Sequence, residues 1–180
     1  MKKSAIFGFF CLIIFYPLLV FAVFQSKIIE NVRLAVVAIY TDKELTHLRS
    51  SGFFIDSSGT IITAKHAVQD STIFWARLHD GRKFELILAG FQENDDIAIM
   101  FPKISENKLS AFPYLKFADS DALIVGKHVM AVGNSLNGLW QIFYSNIKNL
   151  RQKIIVEDDI TLIKTEFNST IEYDIGIPKG

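Results

Sequence analysis

Three side chains near the middle of the chain, His66, Asp95 and Asp96, are of types that move or stabilise protons. His66 follows the run Thr60–Ala64 and stands between the small residues Ala64 and Ala67. A histidine at the end of a buried strand is held rigidly, as a general base must be. Asp95-Asp96 directly precedes the apolar run Ile97-Ala98-Ile99-Met100. Strand alternation sends neighbouring side chains to opposite faces, so only one of the two carboxylates can point at His66. A base and a carboxylate that orients it are two parts of nucleophilic hydrolysis. The third is a hydroxyl flanked by N–H donors for the developing oxyanion. Such a serine sits best in a Gly-x-Ser-Gly turn, where glycine permits the tight backbone. The sequence has no such turn: Leu136 follows Gly133-Asn134-Ser135, and Ser169 has no neighbouring glycine. The four histidines are dispersed and the single cysteine is Cys11, so no metal cluster, cofactor motif or intrachain disulfide is expected.

The elements that must position these groups read as short strands. Gly52–Ile55 and Thr60–Ala64 are rich in Phe, Ile and Thr and flank Asp56-Ser57-Ser58-Gly59, a hairpin signal. Leu34–Tyr40 is continuously apolar and suits a strand covered on both faces. Thr41–Arg49 is polar and reads as a loop. Thr72–His79 and Arg82–Phe91 form a second hairpin around Asp80-Gly81, a two-residue turn signal. Asp96–Met100 is a sixth short strand. Pro102–Pro113 has two prolines and no periodic pattern. Further strands are expected at Lys127–Gly133, Leu139–Ile147, Lys153–Val156 and Thr161–Phe167, and Asn168–Gly176 reads as a loop. Many short strands with turns between them indicate an all-β barrel or sandwich.

The 180 residues carry 19 basic and 19 acidic side chains, both signs scattered, for a net charge of zero. No basic stripe is present, which argues against nucleic acid or an anionic surface as the main partner. Lys2 and Lys3 precede an apolar run over residues 5–24 that is interrupted only by Gly8 and Pro17. Roughly 20 apolar residues cross a bilayer, so this is an export signal long enough to anchor. Ala22-Val23-Phe24 is a poor cleavage site, which favours an uncleaved anchor over a cleaved signal peptide. The lysine bias places the remainder outside the cytoplasmic membrane.

The segment Ser51–Asp70, SGFFIDSSGTIITAKHAVQD, resembles the catalytic-histidine segment of trypsin-like serine proteases, the HtrA/DegP branch above all. Two further stretches continue the resemblance in order. Leu78-His79-Asp80-Gly81-Arg82 through Asp95-Asp96-Ile97-Ala98-Ile99 is similar to the catalytic-aspartate segment. Phe117–Asp121 through Val125-Gly126-Lys127 to Ala131-Val132-Gly133-Asn134 is similar to the opening of the second barrel. The resemblance runs from about Val32 to Thr165. It implies His66 as base and picks Asp96 over Asp95 as its orienting carboxylate. It matches Gly133-Asn134 to a strand end of the second barrel, which argues against Ser135 as nucleophile.

The fold expected on this resemblance is all-β: a trypsin-like double β-barrel with the second barrel incomplete, preceded by an N-terminal hydrophobic helix. Residues 1–26 are the signal peptide or anchor, 30–101 the first barrel, 102–114 the inter-barrel linker and 115–180 a partial second barrel. Ile177-Pro178-Lys179-Gly180 is similar to the approach to the nucleophile turn, with Gly180 as its first, oxyanion-side glycine. An alternative register puts Ile175 at the serine position, and Ile175 cannot attack a carbonyl. Either way no nucleophile is identified in the chain. A second barrel cut off at that point would keep an unpaired edge and an uncovered apolar face. The implied activity is that of an HtrA-type serine endopeptidase acting on exported polypeptides, with the 180 residues themselves inactive. The alternative is a pseudoprotease, a membrane-tethered module that binds peptides without cutting them.

Overall fold

A computed structural model describes residues 26–92, 95–103, 111–135, 138–157 and 164–173, with side chains described outside 151–170 and Tyr173. The leader over residues 5–24, Ile175 and Gly180 lie outside the described residues. Among the described residues no helix is long and apolar enough to cross a membrane.

A helix over residues 26–35 (α1) runs straight into β1 (Val36–Tyr40), so Leu34 and Ala35 complete a helix where the sequence suggested strand. The remaining strands of the first half are β2 (Leu48–Phe54), β3 (Ile61–Thr63), β4 (Phe74–Leu78), β5 (Lys83–Phe91) and β6 (Ala98–Pro102). They close into a barrel in the order β1-β2-β3-β6-β5-β4, each pair antiparallel. Closure leaves no free edge. Alternation fills the interior: Phe74, Ala76 and Leu78 of β4 are buried, as are Ile61 of β3 and Ala98 and Met100 of β6. Each large side chain taken fully out of water contributes about 1.5–3 kcal/mol. Every residue of β1 is buried, as its unbroken apolar run requires.

The turns follow from local chemistry. Asp56 Oδ1 accepts from the N–H groups of Ser58, Gly59 and Thr60 and from the Ser58 hydroxyl. These bonds, the Ser58 hydroxyl first, hold the Asp56 carboxyl well below the usual carboxylate range. Gly59 takes φ +100°, a conformation that favours glycine. The second hairpin differs from its expected two-residue turn. Leu78 N–H bonds Arg82 O, and Gly81, at φ +88°, donates back to Leu78 O. The loop is therefore three residues, with Gly81 in the left-handed position such loops need. The polar segment read as a loop ends early, because β2 begins at Leu48. Its remaining part is tied by Asp42, whose carboxylate accepts from Thr46 N–H, the Thr46 hydroxyl and His47 N–H.

The segment after β6 belongs partly to the barrel. Phe112, 3% exposed, stacks on Phe54 at 4.6 Å and meets Phe84 edge-on at 5.7 Å. Phe112 N–H bonds Ser57 O, and Leu115 N–H bonds Phe54 O. The strap closes one end of the barrel with an aromatic plug.

The second half is a three-stranded antiparallel sheet in the order β7-β8-β9, with β7 His128–Ser135, β8 Gly138–Glu157 and β9 Lys164–Tyr173. β8 is one strand of 20 residues where the sequence suggested two. Its first part pairs with β7 and its second part with β9, so the change of partner replaces a break in the strand. Residues 168–173, read as loop, continue β9. Polar Asn168 and Ser169 carry no strand signal; pairing with β8 supplies the order.

Candidate active site

β3 ends at Thr63, and the chain turns through a single helical turn in which Val68 and Gln69 N–H bond Lys65 O. Val68 is fully buried in the barrel core and anchors this turn. His66 rides on the turn rather than at a strand end, with its side chain 67% exposed. Asp96 lies in the bend before β6, two residues ahead of Ala98, and its side chain is 14% exposed.

The structure brings these two residues together through both carboxylate oxygens. Asp96 Oδ2 is 2.5 Å from His66 Nδ1, and Asp96 Oδ1 accepts the His66 backbone N–H at 2.8 Å. Lys65 N–H adds a bond to the Asp96 carbonyl at 3.2 Å. Ring, main chain and carboxylate are thus fixed as one unit. With Nδ1 engaged by the carboxylate, the ring is oriented with Nε2 away from Asp96. An imidazole so held accepts a proton at Nε2, and the carboxylate stabilises the resulting imidazolium.

Asp95 is exposed. The choice between the two aspartates is made in a bend by main-chain hydrogen bonds, not by the pleat of a strand. Ser135 ends β7, and its hydroxyl donates to Gln141 Oε1 at 2.7 Å. Ser169 is in β9, and its side chain lies outside those described. Gly180 and Ile175 lie outside the described residues. Among the described residues no group of three or more His, Cys, Asp or Glu side chains could hold a metal ion.

Sequence reasoning missed the polar seam that joins the barrel to the second sheet. Asn134 donates its backbone N–H to Ser51 Oγ at 2.7 Å, and its Nδ2 to Val37 O at 3.0 Å and Ser51 Oγ at 3.2 Å. Its Oδ1 accepts Trp140 N–H at 2.9 Å, and Trp140 Nε1 donates to Val36 O at 2.9 Å. Trp140 holds φ +49°, a left-handed conformation rare for a bulky residue. Such strain persists only where surrounding contacts over-determine it. The ring packs edge-on against His79 at 5.2 Å, with the Arg77 guanidinium 5.8 Å from its centroid. Asn134 was legible only as half of a Gly-Asn pair; nothing in the sequence names Ser51 as its partner.

The trypsin-like peptidase domain family model matches residues 50–178. The periplasmic serine endoprotease DegP of Escherichia coli is 39% identical over 98 residues, 54% of this chain and 20% of DegP. DegP of Salmonella typhimurium is 35% identical over 119 residues, 64% of this chain and 24% of that protein. The chain thus spans about a quarter or less of the length of these curated relatives. Among solved structures, the HtrA-type protease AlgW with decapeptide has a TM-score of 0.65 at 16% identity, covering 83% of this chain and 50% of that one. That likeness is one of fold. The barrel, the ordered sequence motifs and the family match agree, and the chain belongs to the trypsin-like peptidase domain family, in its HtrA/DegP branch.

Proposed function

We propose that this chain carries the proton-handling part of an HtrA-type serine endopeptidase site, with His66 as general base and Asp96 as its orienting carboxylate. The observation that carries the reading is the double contact of Asp96 with His66, at Nδ1 and at the backbone N–H. One oxygen sets the tautomer and the other fixes the ring's position, which is what proton abstraction from a hydroxyl requires. The ligand class is an extended polypeptide, supported by the decapeptide that AlgW holds in its solved structure. The compartment is the outer side of the cytoplasmic membrane. Lys2, Lys3 and the apolar run over residues 5–24 support export, and the DegP relatives are named periplasmic. That run also supports a membrane tether, and 115–180 is read as part of a second barrel. No cofactor enters the reaction.

Since the 180 residues hold no Gly-x-Ser-Gly turn, they are expected to leave peptides uncut by themselves. A second reading is a polypeptide-binding module without cleavage, with which a Ser135 hydroxyl given to Gln141 is compatible.

The test is to continue the chain after Gly180 with the serine-bearing remainder of the DegP peptidase domain. Casein cleavage by this extended chain should fall by about 10²–10⁴-fold in His66→Ala. Cleavage indifferent to His66 overturns the assignment. Binding of unfolded casein by the 180-residue chain, with no cleavage by either chain, favours the second reading.

A further inference from the structure

Ser50 and Ser51 are neighbours on β2, and the pleat sends their hydroxyls to opposite sides of the barrel wall. Ser50 Oγ lies 2.9 Å from Thr63 Oγ1, and Thr63 Oγ1 donates to Ser51 O at 2.9 Å. Thr63 has one hydroxyl hydrogen, already given to Ser51 O, so Ser50 is the donor to Thr63. Thr63 is the last residue of β3, 6% exposed, three positions before His66. On the other side, Ser51 Oγ accepts two hydrogen bonds from Asn134, one from its backbone and one from its amide. Asn134 closes the seam by receiving Trp140 N–H, and Trp140 reaches Val36 O. A continuous set of hydrogen bonds therefore runs from the strand that delivers His66, through β2, to the β7–β8 hairpin.

Every polar group of the Asn134 side chain is committed, and the amide's orientation is settled by its partners: a flip would set Oδ1 against Val37 O. Directional bonds fix distance and angle where apolar contact alone lets two surfaces slide. Gly133 brings the hairpin close, since a Cβ there would lie 3.4 Å from Ser51 Oγ.

We propose that Ser51 and Asn134 are positioning residues that peg the second sheet at one offset from the His66–Asp96 pair. The inference rests on the reading of His66 as general base. In a site split between two sheets, base and nucleophile belong to different bodies, and a shift on the order of 1 Å between them costs about 10²-fold in rate.

The test separates positioning from stability. In the full 180-residue chain with Cys11→Ser, spin labels are placed at Asp70→Cys, beside the His66 turn, and at Tyr144→Cys on β8. Both positions are exposed. Double electron–electron resonance then reads the distance between the halves. The parent should give one narrow distribution. Ser51→Ala and Asn134→Ala should each broaden it about twofold or split it, and Ser51→Thr, which keeps the acceptor, should restore it. If Ser51→Ala does not fold, Asn134→Asp, which keeps Oδ1 and loses the amide donor, carries the test. A distribution that stays narrow while only the denaturation midpoint drops makes the pegs structural and overturns the proposal. In the DegP-extended chain, Ser51→Ala should lower kcat about 10²-fold with KM little changed. A broadened distribution with cleavage that does not depend on His66 would instead remove the general-base reading and leave the peg standing.

Discussion

Asp96 grips His66 twice, with Oδ2 2.5 Å from the ring Nδ1 and Oδ1 2.8 Å from the backbone N–H. The two bonds make different demands on the residue, and substitutions can take them apart.

Asp96→Asn keeps the side-chain shape but puts one amide nitrogen where an acceptor is needed. If the remaining oxygen keeps the backbone bond, the imidazole tautomer reverses and the Nε2 lone pair is lost. In the DegP-extended chain, kcat should fall on the order of 10⁴-fold. In the 180-residue chain, the downfield Nδ1 proton resonance of His66 should disappear from the NMR spectrum. Retention of that resonance in the variant would show that the carboxylate does not set the tautomer.

Phe112→Ala removes the plug at the barrel end. Phe112 is 3% exposed and packs on Phe54 and Phe84, so the loss should be about 3–5 kcal/mol by urea denaturation. A change below about 1 kcal/mol would mean that the barrel is complete without the strap.

Gly59→Ala tests the turn beneath that plug. The backbone sits at φ +100°, and an added Cβ would lie 2.9 Å from both the Phe112 ring and Pro102. Backbone strain and overpacking add, and the expected cost is about 2–4 kcal/mol. Gly81→Ala, with nothing within 4 Å of its Cβ, meets only the backbone term and should cost less.

Asp42 predicts an acid-sensitive loop. Hydrogen bonds, the Thr46 backbone N–H first, lower its carboxyl from 3.8 to about 2. A carboxyl depressed in the folded state adds stability above its unfolded value and loses it as pH falls through the folded one. The difference in denaturation midpoint between the parent and Asp42→Ala should therefore be full above pH 3.8 and close as pH falls toward 2. A difference that is constant over that window would mean that the charge is not what ties the loop.

Much of the barrel was legible because its signals are local. Asp56 to Gly59 carries its own acceptor and its own positive φ. The full burial of β1 is written in its unbroken apolar run, whereas β6, apolar at every position, alternates only because Ile99 and Phe101 face outward. The second sheet was less legible. β8 changes partner from β7 to β9 within one unbroken strand, with register irregularities from Ile147 onward that no turn residue announces. Phe112 looked like part of a linker because a single plug has no periodicity.

By itself the sequence determined six short strands, the tight turns and the residue types able to handle a proton, since pleat, turn and side-chain chemistry act over a few neighbouring residues. The resemblance picked Asp96 over Asp95, but tertiary structure alone supplied the means, a bend tied to Lys65 and His66 main chain. It alone joined Ser51 to Asn134, which lie 83 positions apart. Such contacts depend on where closure of the barrel carries each group, a distance and angle that no local pattern encodes.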